Sequence, residues 1–246
     1  MSKILLNCDM GEHFGIWSKC DDELLMPYID IANLACGFHA SDPLNIVKSV
    51  NLVKKYKKEI SVHPSYPDIV GFGRRSLNCT RDEIRALILY QCGALEAISK
   101  TSDINVKYIK PHGALYNDMM KDMDIFKTIV STISQYNQDL KLLILSTSNN
   151  QKYKKIADSY NIDLLYEVFM DRNYTNEGFL VPRLDANSVI DDSKIALNRI
   201  KTLLTKGYIE SIEGKKLDLE VDTICVHGDH KQAVEFVKLL REQLDK

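Results

Sequence analysis

The chain has 246 residues, of which 45% are hydrophobic and 27% are charged, proportions typical of a globular protein and not of a disordered or fibrous one. Its 32 Lys and Arg residues nearly balance 34 Asp and Glu residues, whereas proteins that bind nucleic acids or anionic membranes are usually far more basic. No window approaches the ~18 apolar residues of a membrane span. We therefore expect neither a nucleic-acid partner nor a membrane location.

The cysteines and the first residues predict a reducing compartment. The cysteines are scattered, with no C-x-x-C pair: Cys8, Cys20, Cys36, Cys79, Cys92 and Cys225. The chain turns acidic soon after its first apolar residues and shows no secretory signal pattern there. We therefore expect free thiols and a cytoplasmic location. Cys8, Cys36 and Cys225 lie in or near predicted strands and are most simply small apolar fillers.

Short β-rich runs alternate with amphipathic helical stretches along the whole chain. The predicted strands are Ile4–Cys8, Asp30–Ala35, Ile60–His63, Val106–Lys110, Lys141–Ser146, Leu164–Phe169 and Thr223–His227. Most are apolar on both faces, as in a buried parallel sheet. About seven βα units in one domain over residues 1–246 predict a closed (β/α) barrel, and a doubly wound open sheet is the alternative.

Local signals support this reading of the elements. Asp42 followed by proline is typical of a helix N-terminus, and Thr80 with Glu83 is typical of a capping box. Residues 209–212 and 216–221 can pair as a small hairpin outside the barrel. Asp42 is therefore more simply a helix cap than a catalyst, and Asp229 is about equally balanced between the two.

Polar side chains follow the predicted strands at their carboxyl ends, where parallel α/β folds bind ligands. All six histidines lie at such positions: His13, His39, His63, His112, His227 and His230. Candidate catalytic residues are Asp9, His39, His63, Lys110, His112, Asp171 and His227. Candidate substrate- or phosphate-binding residues are Asn7, Glu12, Asn33, Arg74, Arg75, Tyr116, Arg172, Arg183 and Asp229. Among these, Asn33 also suits a simple turn, and Tyr116 also suits a simple pocket wall.

These residue types suit acyl chemistry on a small anion. Histidine and aspartate can take a proton from water near neutral pH, and lysine or arginine can hold a carboxylate, a phosphate or a developing oxyanion. A metal bound by an aspartate and two histidines is neither required nor excluded. The sequence contains no Walker loop, no G-x-G-x-x-G after a strand and no G-x-S-x-G elbow, which argues against the corresponding nucleotide sites and serine hydrolases.

The strand-end segments together resemble the LamB/YcsF family. The matching blocks are Asn7-Cys-Asp-Met-Gly-Glu12, Ala32-Asn-Leu-Ala-Cys-Gly-Phe-His-Ala40, His63-Pro-Ser-Tyr-Pro-Asp68, Gly71-Phe-Gly-Arg-Arg75, Lys110-Pro-His-Gly-Ala-Leu-Tyr-Asn117, Glu167-Val-Phe-Met-Asp-Arg-Asn-Tyr174 and Cys225-Val-His-Gly-Asp229. They run in order across essentially the whole chain. The departures are Ser41 in place of glycine, Met170 in place of alanine and Glu177 in place of aspartate.

The resemblance implies a barrel similar to those of the glycoside hydrolase/deacetylase group. It also implies ATP-dependent opening of 5-oxo-L-proline to L-glutamate, because members of the family form the A subunit of the bacterial 5-oxoprolinase and act with subunits B and C. ATP is then a co-substrate, and a divalent metal is possible. Two alternatives stay open: a stand-alone metal-dependent deacetylase or amidohydrolase, and a non-catalytic lactam-binding protein.

Roles for the candidate residues follow as a mechanistic hypothesis. Asp9, together with His39, His63 or His112, activates water. Lys110, with Arg74, Arg75 or Arg172, holds the activated oxygen or phosphate, and His227 or Asp171 protonates the leaving nitrogen.

Overall fold

A computed structural model describes residues 3–18, 20–183, 185–190, 192–226 and 233–245 of the chain. The strands are β1 (Leu5–Met10), β2 (Ile31–Ala35), β3 (Glu59–His63), β4 (Val106–Ile109), β5 (Lys141–Leu145), β6 (Leu164–Phe169), β7 (Tyr208–Glu210), β8 (Lys216–Asp218) and β9 (Thr223–Val226). The helices are α1 (Asp22–Leu25), α2 (Pro43–Tyr56), α3 (Arg81–Lys100), α4 (Gly113–Lys121), α5 (Met123–Tyr136), α6 (Asn150–Ser159), α7 (Ser193–Lys206) and α8 (Ala233–Leu244).

Seven of these strands close into a parallel barrel. Their order around it is β1, β2, β3, β4, β5, β6 and β9, and β9 pairs with both β6 and β1. This confirms the predicted (β/α) barrel of about seven strands and rules out the open sheet. The predicted outlying hairpin is also present, because β7 and β8 pair antiparallel as a separate two-stranded sheet.

The first strand extends two residues beyond its predicted end, to Met10. In this register Asp9 lies beside Asn33 of β2, and Asn7 lies beside Cys225 of β9. Since alternate residues of a strand point to opposite faces, Asn7 and Asp9 point to the same side. The register therefore brings Asp9 of β1 and Asn33 of β2 to the same level of the barrel, on the side that Asn7 shares.

The helix signals are found where the sequence places them. The Asp42 carboxylate accepts hydrogen bonds from the backbone N–H groups of Leu44 and Asn45 at the start of α2. Thr80 and Glu83 form the reciprocal capping box of α3. In the described parts of the chain, no helix combines the length and apolar character needed to cross a membrane.

The loop between β2 and α2 holds Ser41 in a conformation that favours glycine. Ser41 has φ of 75° and is 1% exposed, and its backbone N–H donates to the carbonyl of His13 at 2.5 Å. A side chain at positive φ is strained because its Cβ approaches the backbone. Serine in place of the glycine of the family pattern therefore strains the backbone of this loop, which lies beside the site.

Candidate active site

The carboxyl ends of the barrel strands carry the side chains that the sequence singles out. β1 carries Asp9 and leads to Glu12, β2 leads to His39, β3 ends at His63, β4 leads to Lys110 and His112, and β6 leads to Asp171 and Arg172. The first four strands are consecutive neighbours in the barrel, so their loops lie side by side. His227 and Asp229 lie outside the described residues.

Lys110 is the centre of a buried polar network. Its side chain is 3% exposed, and Nζ lies 3.0 Å from Asp9 Oδ1 and 2.9 Å from Glu167 Oε1. Nζ also donates to Asn7 Oδ1 at 3.1 Å. Burial alone lowers the pKa of Lys110, but the neighbouring carboxylates outweigh it and raise that pKa well above its ordinary value. Lys110 is therefore a charged residue that holds two carboxylates in place.

Two amides and a phenol complete this network. Asn33 Nδ2 donates to Asp9 Oδ1 at 2.9 Å and to Asn7 Oδ1 at 2.7 Å. The Tyr116 hydroxyl donates to Glu167 Oε2 at 2.8 Å. Asn7 and Asn33 have no exposed surface. Asn33 thus orients Asp9, and Asn7 links Asn33 to Lys110 within the buried network.

Glu167 is a site residue that the strand-end pattern does not single out. It lies within β6, whose sequence is LLYEVF, and has no exposed surface. A lone carboxylate in an otherwise apolar strand needs a buried partner, because an unpaired charge is costly to bury. Because Glu167 is the one charged residue of an apolar strand, the sequence could have indicated that it pairs with a buried lysine.

Three histidines and a glutamate form a second cluster. The distance between His63 Nε2 and His112 Nδ1 is 2.9 Å. His39 Nε2 and His112 Nδ1 each lie 3.3 Å from Glu12 Oε1, and the His39 and His112 rings stack with centroids 3.7 Å apart. Asp9 Oδ2 lies 3.3 Å from His63 Nε2 and so connects this cluster to the lysine network.

The hydrogen bonds of two of these rings fix their tautomers. His63 Nδ1 lies 2.7 Å from the carbonyl oxygen of Lys110, and His112 Nε2 lies 2.9 Å from that of Phe72. A carbonyl only accepts hydrogen bonds, so both of these nitrogens carry a proton. In the neutral rings, His63 Nε2 and His112 Nδ1 therefore point lone pairs at each other. Two facing lone pairs are stable at 2.9 Å only if a proton or a cation lies between them.

Burial favours the neutral forms of His39 and His112. It lowers the pKa of His39, and it lowers the pKa of His112 still further, where the neighbouring His39 adds to the effect and Glu12 opposes it. The ligand atoms of the three histidines and Glu12 all lie within 4.8 Å of one another. Neutral imidazoles with one carboxylate are compatible with a divalent metal ion.

Gly73 gives the histidine rings room to stack. Its φ is 63°, and a Cβ added to it would lie 2.8 Å from both His39 Cβ and His112 Cδ2 and 2.3 Å from Ser65 Oγ. Real Cβ atoms do not approach their neighbours so closely. The glycine in the segment after β3 is therefore required both by its backbone conformation and by the two rings.

Arginines give one wall of the site a positive charge. Arg172 Nη2 donates to the carbonyl of Val181 at 2.6 Å, and Nε donates to that of Ser188 at 3.2 Å. Burial, together with the positive charges of Arg183 and Arg74, lowers the pKa of Arg172 to about 10. Arg172 is therefore still charged at neutral pH, in a position that attracts an anion.

Two other candidates contact protein groups at the edge of the site. Arg75 Nε donates to Asp68 Oδ2 at 3.1 Å, and its side chain is 63% exposed. Asp171 is 6% exposed, and its backbone carbonyl accepts from Ile190 N–H at 2.8 Å. Arg75 thus stabilises the loop after β3, and Asp171 lies in the chain just before Arg172.

The two clusters and the arginines face one cavity of about 690 Å³, lined among others by Asp9, His63, His112, Arg74, Arg172 and Arg183. This volume is typical of a small-molecule site. His13, in contrast, lies outside the cluster and pairs with Asp22, with His13 Nε2 at 3.2 Å from Asp22 Oδ2. Asp42 is also separate, because it caps α2. The cavity therefore combines bases on its floor with cations on its wall.

The burial of three cysteines agrees with the predicted apolar role, but Cys225 Sγ also accepts a hydrogen bond from Lys110 Nζ at 3.1 Å. Cys8, Cys36 and Cys225 are at most 4% exposed and form no disulfide. Burial raises the pKa of the Cys36 thiol to about 12, and it raises those of Cys8 and Cys225 well above their ordinary value. These thiols are therefore protonated at neutral pH and are poor nucleophiles.

The amino-acid sequence of the chain is similar to those of known proteins over nearly its whole length. The LamB/YcsF family model matches residues 4–246. The A subunit of the Vibrio vulnificus 5-oxoprolinase is 47% identical over 99% of this chain and 98% of its own length. A Pseudomonas aeruginosa protein, the third 5-oxoprolinase A subunit named for that organism, is 41% identical over 99% of this chain and 97% of its own length.

Solved structures give the same picture of the fold. The lactam utilization protein from Thermus thermophilus superposes with a TM-score of 0.89 at 33% identity, over 99% of this chain and 96% of that one. A putative cellobiose-phosphate cleavage protein from Enterococcus faecalis superposes with a TM-score of 0.55 at 11% identity, over 98% of this chain and 92% of that one. The second likeness concerns the barrel fold alone.

Proposed function

Since the chain belongs to the LamB/YcsF family, we propose that it opens 5-oxo-L-proline to L-glutamate in a reaction coupled to ATP hydrolysis, together with partner subunits B and C. The names of its relatives support a role in 5-oxoproline or lactam metabolism. The observation that carries the proposal is a carboxylate held between a buried lysine and a histidine, at the floor of a cavity with an arginine wall.

Asp9 is the proposed general base. Its Oδ1 is held by Lys110 and Asn33, and its Oδ2 lies 3.3 Å from His63 Nε2. A carboxylate fixed in this way can take a proton from a water molecule in the cavity. Asp9 thus activates the water that attacks the lactam carbonyl carbon.

Lys110 has a positioning role in this scheme. The sequence alone suggests that it holds the activated oxygen or a phosphate. Its ammonium group is already surrounded by Asp9, Glu167 and Asn7 at 2.9 to 3.1 Å. We therefore assign anion binding to the arginine wall, where Arg172, Arg183 and Arg74 can hold the carboxylate of 5-oxoproline or a phosphate.

ATP is the proposed co-substrate because of the chemistry of the lactam. A five-membered lactam is an unstrained, resonance-stabilised amide, so water attacks it slowly. Transfer of the γ-phosphoryl group of ATP to the lactam oxygen makes the carbonyl carbon a better electrophile and releases ADP. Water then adds to that carbon, and the C–N bond breaks as the nitrogen takes up a proton, which leaves an acyl phosphate. A second water molecule hydrolyses this acyl phosphate and releases phosphate and the side-chain carboxylate of glutamate. Asp171 is the described candidate donor of the proton to the nitrogen, and His227 is the other.

The sequence contains no Walker motif, and the action of partner subunits is consistent with this, because another chain can contribute to ATP binding.

The loop after β1 exposes large apolar side chains: Ile16 is 95% exposed and Trp17 is 70% exposed. A short backbone hairpin between Phe14 and Trp17 holds them, and Cys20 of the same loop lines the cavity. We propose that a partner subunit covers these side chains. The proposed location of the protein is the cytoplasm, which supplies ATP and keeps thiols reduced.

Reconstitution of the complex tests the proposal. The purified chain is mixed with its candidate partner subunits, and glutamate release from 5-oxoproline is measured with and without ATP. We expect release only with ATP and partners, and a loss of at least ~100-fold for Asp9→Asn, since a general base contributes about 10²- to 10⁴-fold. Asp42→Asn is the matched control, because asparagine also caps helices well.

Other outcomes contradict the proposal in different ways. Full activity of both Asp9→Asn and His112→Ala refutes the assigned roles. Chelator-sensitive turnover by the chain alone, without ATP, identifies a metal-dependent amidohydrolase. Binding of 5-oxoproline without turnover under any condition identifies a lactam-binding protein. Full assembly and activity of Trp17→Ser refutes the proposed contact surface but leaves the reaction untouched.

A further inference from the structure

We propose that Glu12, His39, His63 and His112 together bind one divalent transition-metal ion of the zinc type. This site is additional to the proposed lactam chemistry and does not depend on it. The four ligand atoms come from the ends of β1, β2, β3 and β4, and all of them lie within 4.8 Å of one another. The four side chains are at most 8% exposed.

The backbone carbonyls that bind two of the rings already select the metal-binding tautomers. The carbonyl oxygen of Lys110 accepts a hydrogen bond from His63 Nδ1, and that of Phe72 accepts one from His112 Nε2. The remaining lone pairs of both rings then face the interior of the cluster. Metal-binding histidines in general donate their other ring N–H to a carbonyl or carboxylate, which fixes the ring as a ligand. Both rings meet this requirement.

The spacing of the ligand atoms suits a coordination shell. The contacts are 2.9 Å between His63 Nε2 and His112 Nδ1, and 3.3 Å from Glu12 Oε1 to each of His39 and His112. With Zn–N distances of about 2.0 to 2.1 Å, the ligand atoms of a tetrahedral site lie about 3.3 Å apart. Small movements of the side chains are therefore enough to enclose an ion.

His39 provides an independent indication that a ligand is bound here. Its ring has 1% exposure, and neither ring nitrogen makes a hydrogen bond within the described parts of the chain. A buried polar group without a hydrogen bond is costly. Its Nε2 lies 3.3 Å from Glu12 Oε1, so an ion between them would give this ring nitrogen a partner.

The donor set selects the class of ion. Three imidazoles and one carboxylate suit Zn²⁺, Co²⁺ or Ni²⁺, whereas Mg²⁺ and Ca²⁺ prefer sites made of oxygen atoms. Asp9 is not needed as a ligand, because Lys110 and Asn33 hold its Oδ1. The carboxylate of Asp9 therefore stays available beside the ion, with its Oδ2 3.3 Å from His63 Nε2.

Direct metal measurements test this site without any activity assay. The full chain is stripped with a chelator, loaded with Zn²⁺ or Co²⁺, dialysed, and analysed for metal content and for the visible absorption bands of bound Co²⁺. We expect one ion per chain, Co²⁺ bands of a four- or five-coordinate site, and no retention of Mg²⁺. His39→Ala, His112→Ala and the nearly isosteric Glu12→Gln should each weaken Zn²⁺ binding by at least ~10-fold.

His13→Ala is the matched control, because this histidine pairs with Asp22 outside the cluster, and it should retain the ion. Circular dichroism establishes that each variant is folded. If the wild-type chain retains no Zn²⁺ or Co²⁺, or if Glu12→Gln and His112→Ala bind them as tightly as the wild type does, the site is refuted. The two facing lone pairs are then joined by a shared proton instead. Metal content does not depend on lactam turnover, so this result and the reconstitution experiment can fail separately.

Discussion

Replacement of Lys110 by methionine tests the network that holds Asp9. The substitution keeps most of the side-chain volume and removes the charge between Asp9 Oδ1 and Glu167 Oε1, which lie 3.0 and 2.9 Å from Nζ. These two carboxylates have side-chain exposures of only 11% and 0%, so water compensates poorly for the loss of the lysine.

The expected cost follows from this burial. Removing one partner of a buried ion pair destabilises a protein by about 3 to 5 kcal/mol, because an uncompensated charge is left behind. That is a large part of a total stability of about 5 to 15 kcal/mol. For a chain of this length each kcal/mol corresponds to about 2 to 4 °C in Tm, so we expect a decrease of roughly 6 to 20 °C.

Urea denaturation at pH 7 measures the change in the free energy of unfolding. Lys107→Met is the matched control, because Lys107 is 56% exposed in its pair with Glu59 and exposed pairs contribute at most about 1 kcal/mol. In Lys110→Met/Glu167→Gln, removal of the second charge should restore about 0.5 to 3 kcal/mol. If Lys110→Met is as stable as the control, or if the double variant restores nothing, Lys110 does not hold the carboxylates as argued.

Two further predictions concern the arginine wall and the strained loop. The pKa of Arg172 is lowered to about 10, so binding of 5-oxoproline should be constant from pH 7 to pH 9 and should weaken as the pH passes about 10; calorimetric titration checks this, and unchanged affinity at pH 11 would exclude Arg172 as the anion ligand. Ser41→Gly should raise the stability by about 0.5 to 1 kcal/mol, because relief of about 1 to 2 kcal/mol of positive-φ strain exceeds the entropy cost of glycine. Ser41→Ala keeps the strain, so equal stabilisation of both variants in thermal denaturation would contradict this account.

The barrel could be predicted from the sequence because its strands are nearly continuous apolar runs. The prediction was wrong where that pattern fails. β1 continues through Asp9 to Met10, beyond its predicted end at Cys8, because a charged residue inside the barrel breaks the apolar run. The charge is tolerated there only because Lys110, about a hundred residues further along the chain, supplies the counter-charge. Periodicity within one strand contains no information about such a partner.

The site could be predicted only as a set of residues at one rim. His39, His63 and His112 follow neighbouring strands, so the strand-end rule brings them together. The rule does not distinguish residues that face the cavity from those that support them, and it therefore gives no reason to separate Asn33 from His63. Nor does it reveal that Arg75 contacts Asp68, because this pairing depends on how the loop after β3 folds back.

The lysine network and the histidine cluster differ in their electrostatic requirements. In the lysine network, one buried cation contacts both carboxylates, so Asp9 is held in place without a bound ligand. The histidine cluster combines the carboxylate of Glu12 with three rings, and two of their nitrogens, His63 Nε2 and His112 Nδ1, face each other at 2.9 Å. An array of this kind is stable only when something positive enters it. The protein itself therefore completes the surroundings of Asp9, the proposed base, whereas the proposed metal ion would complete the histidine cluster.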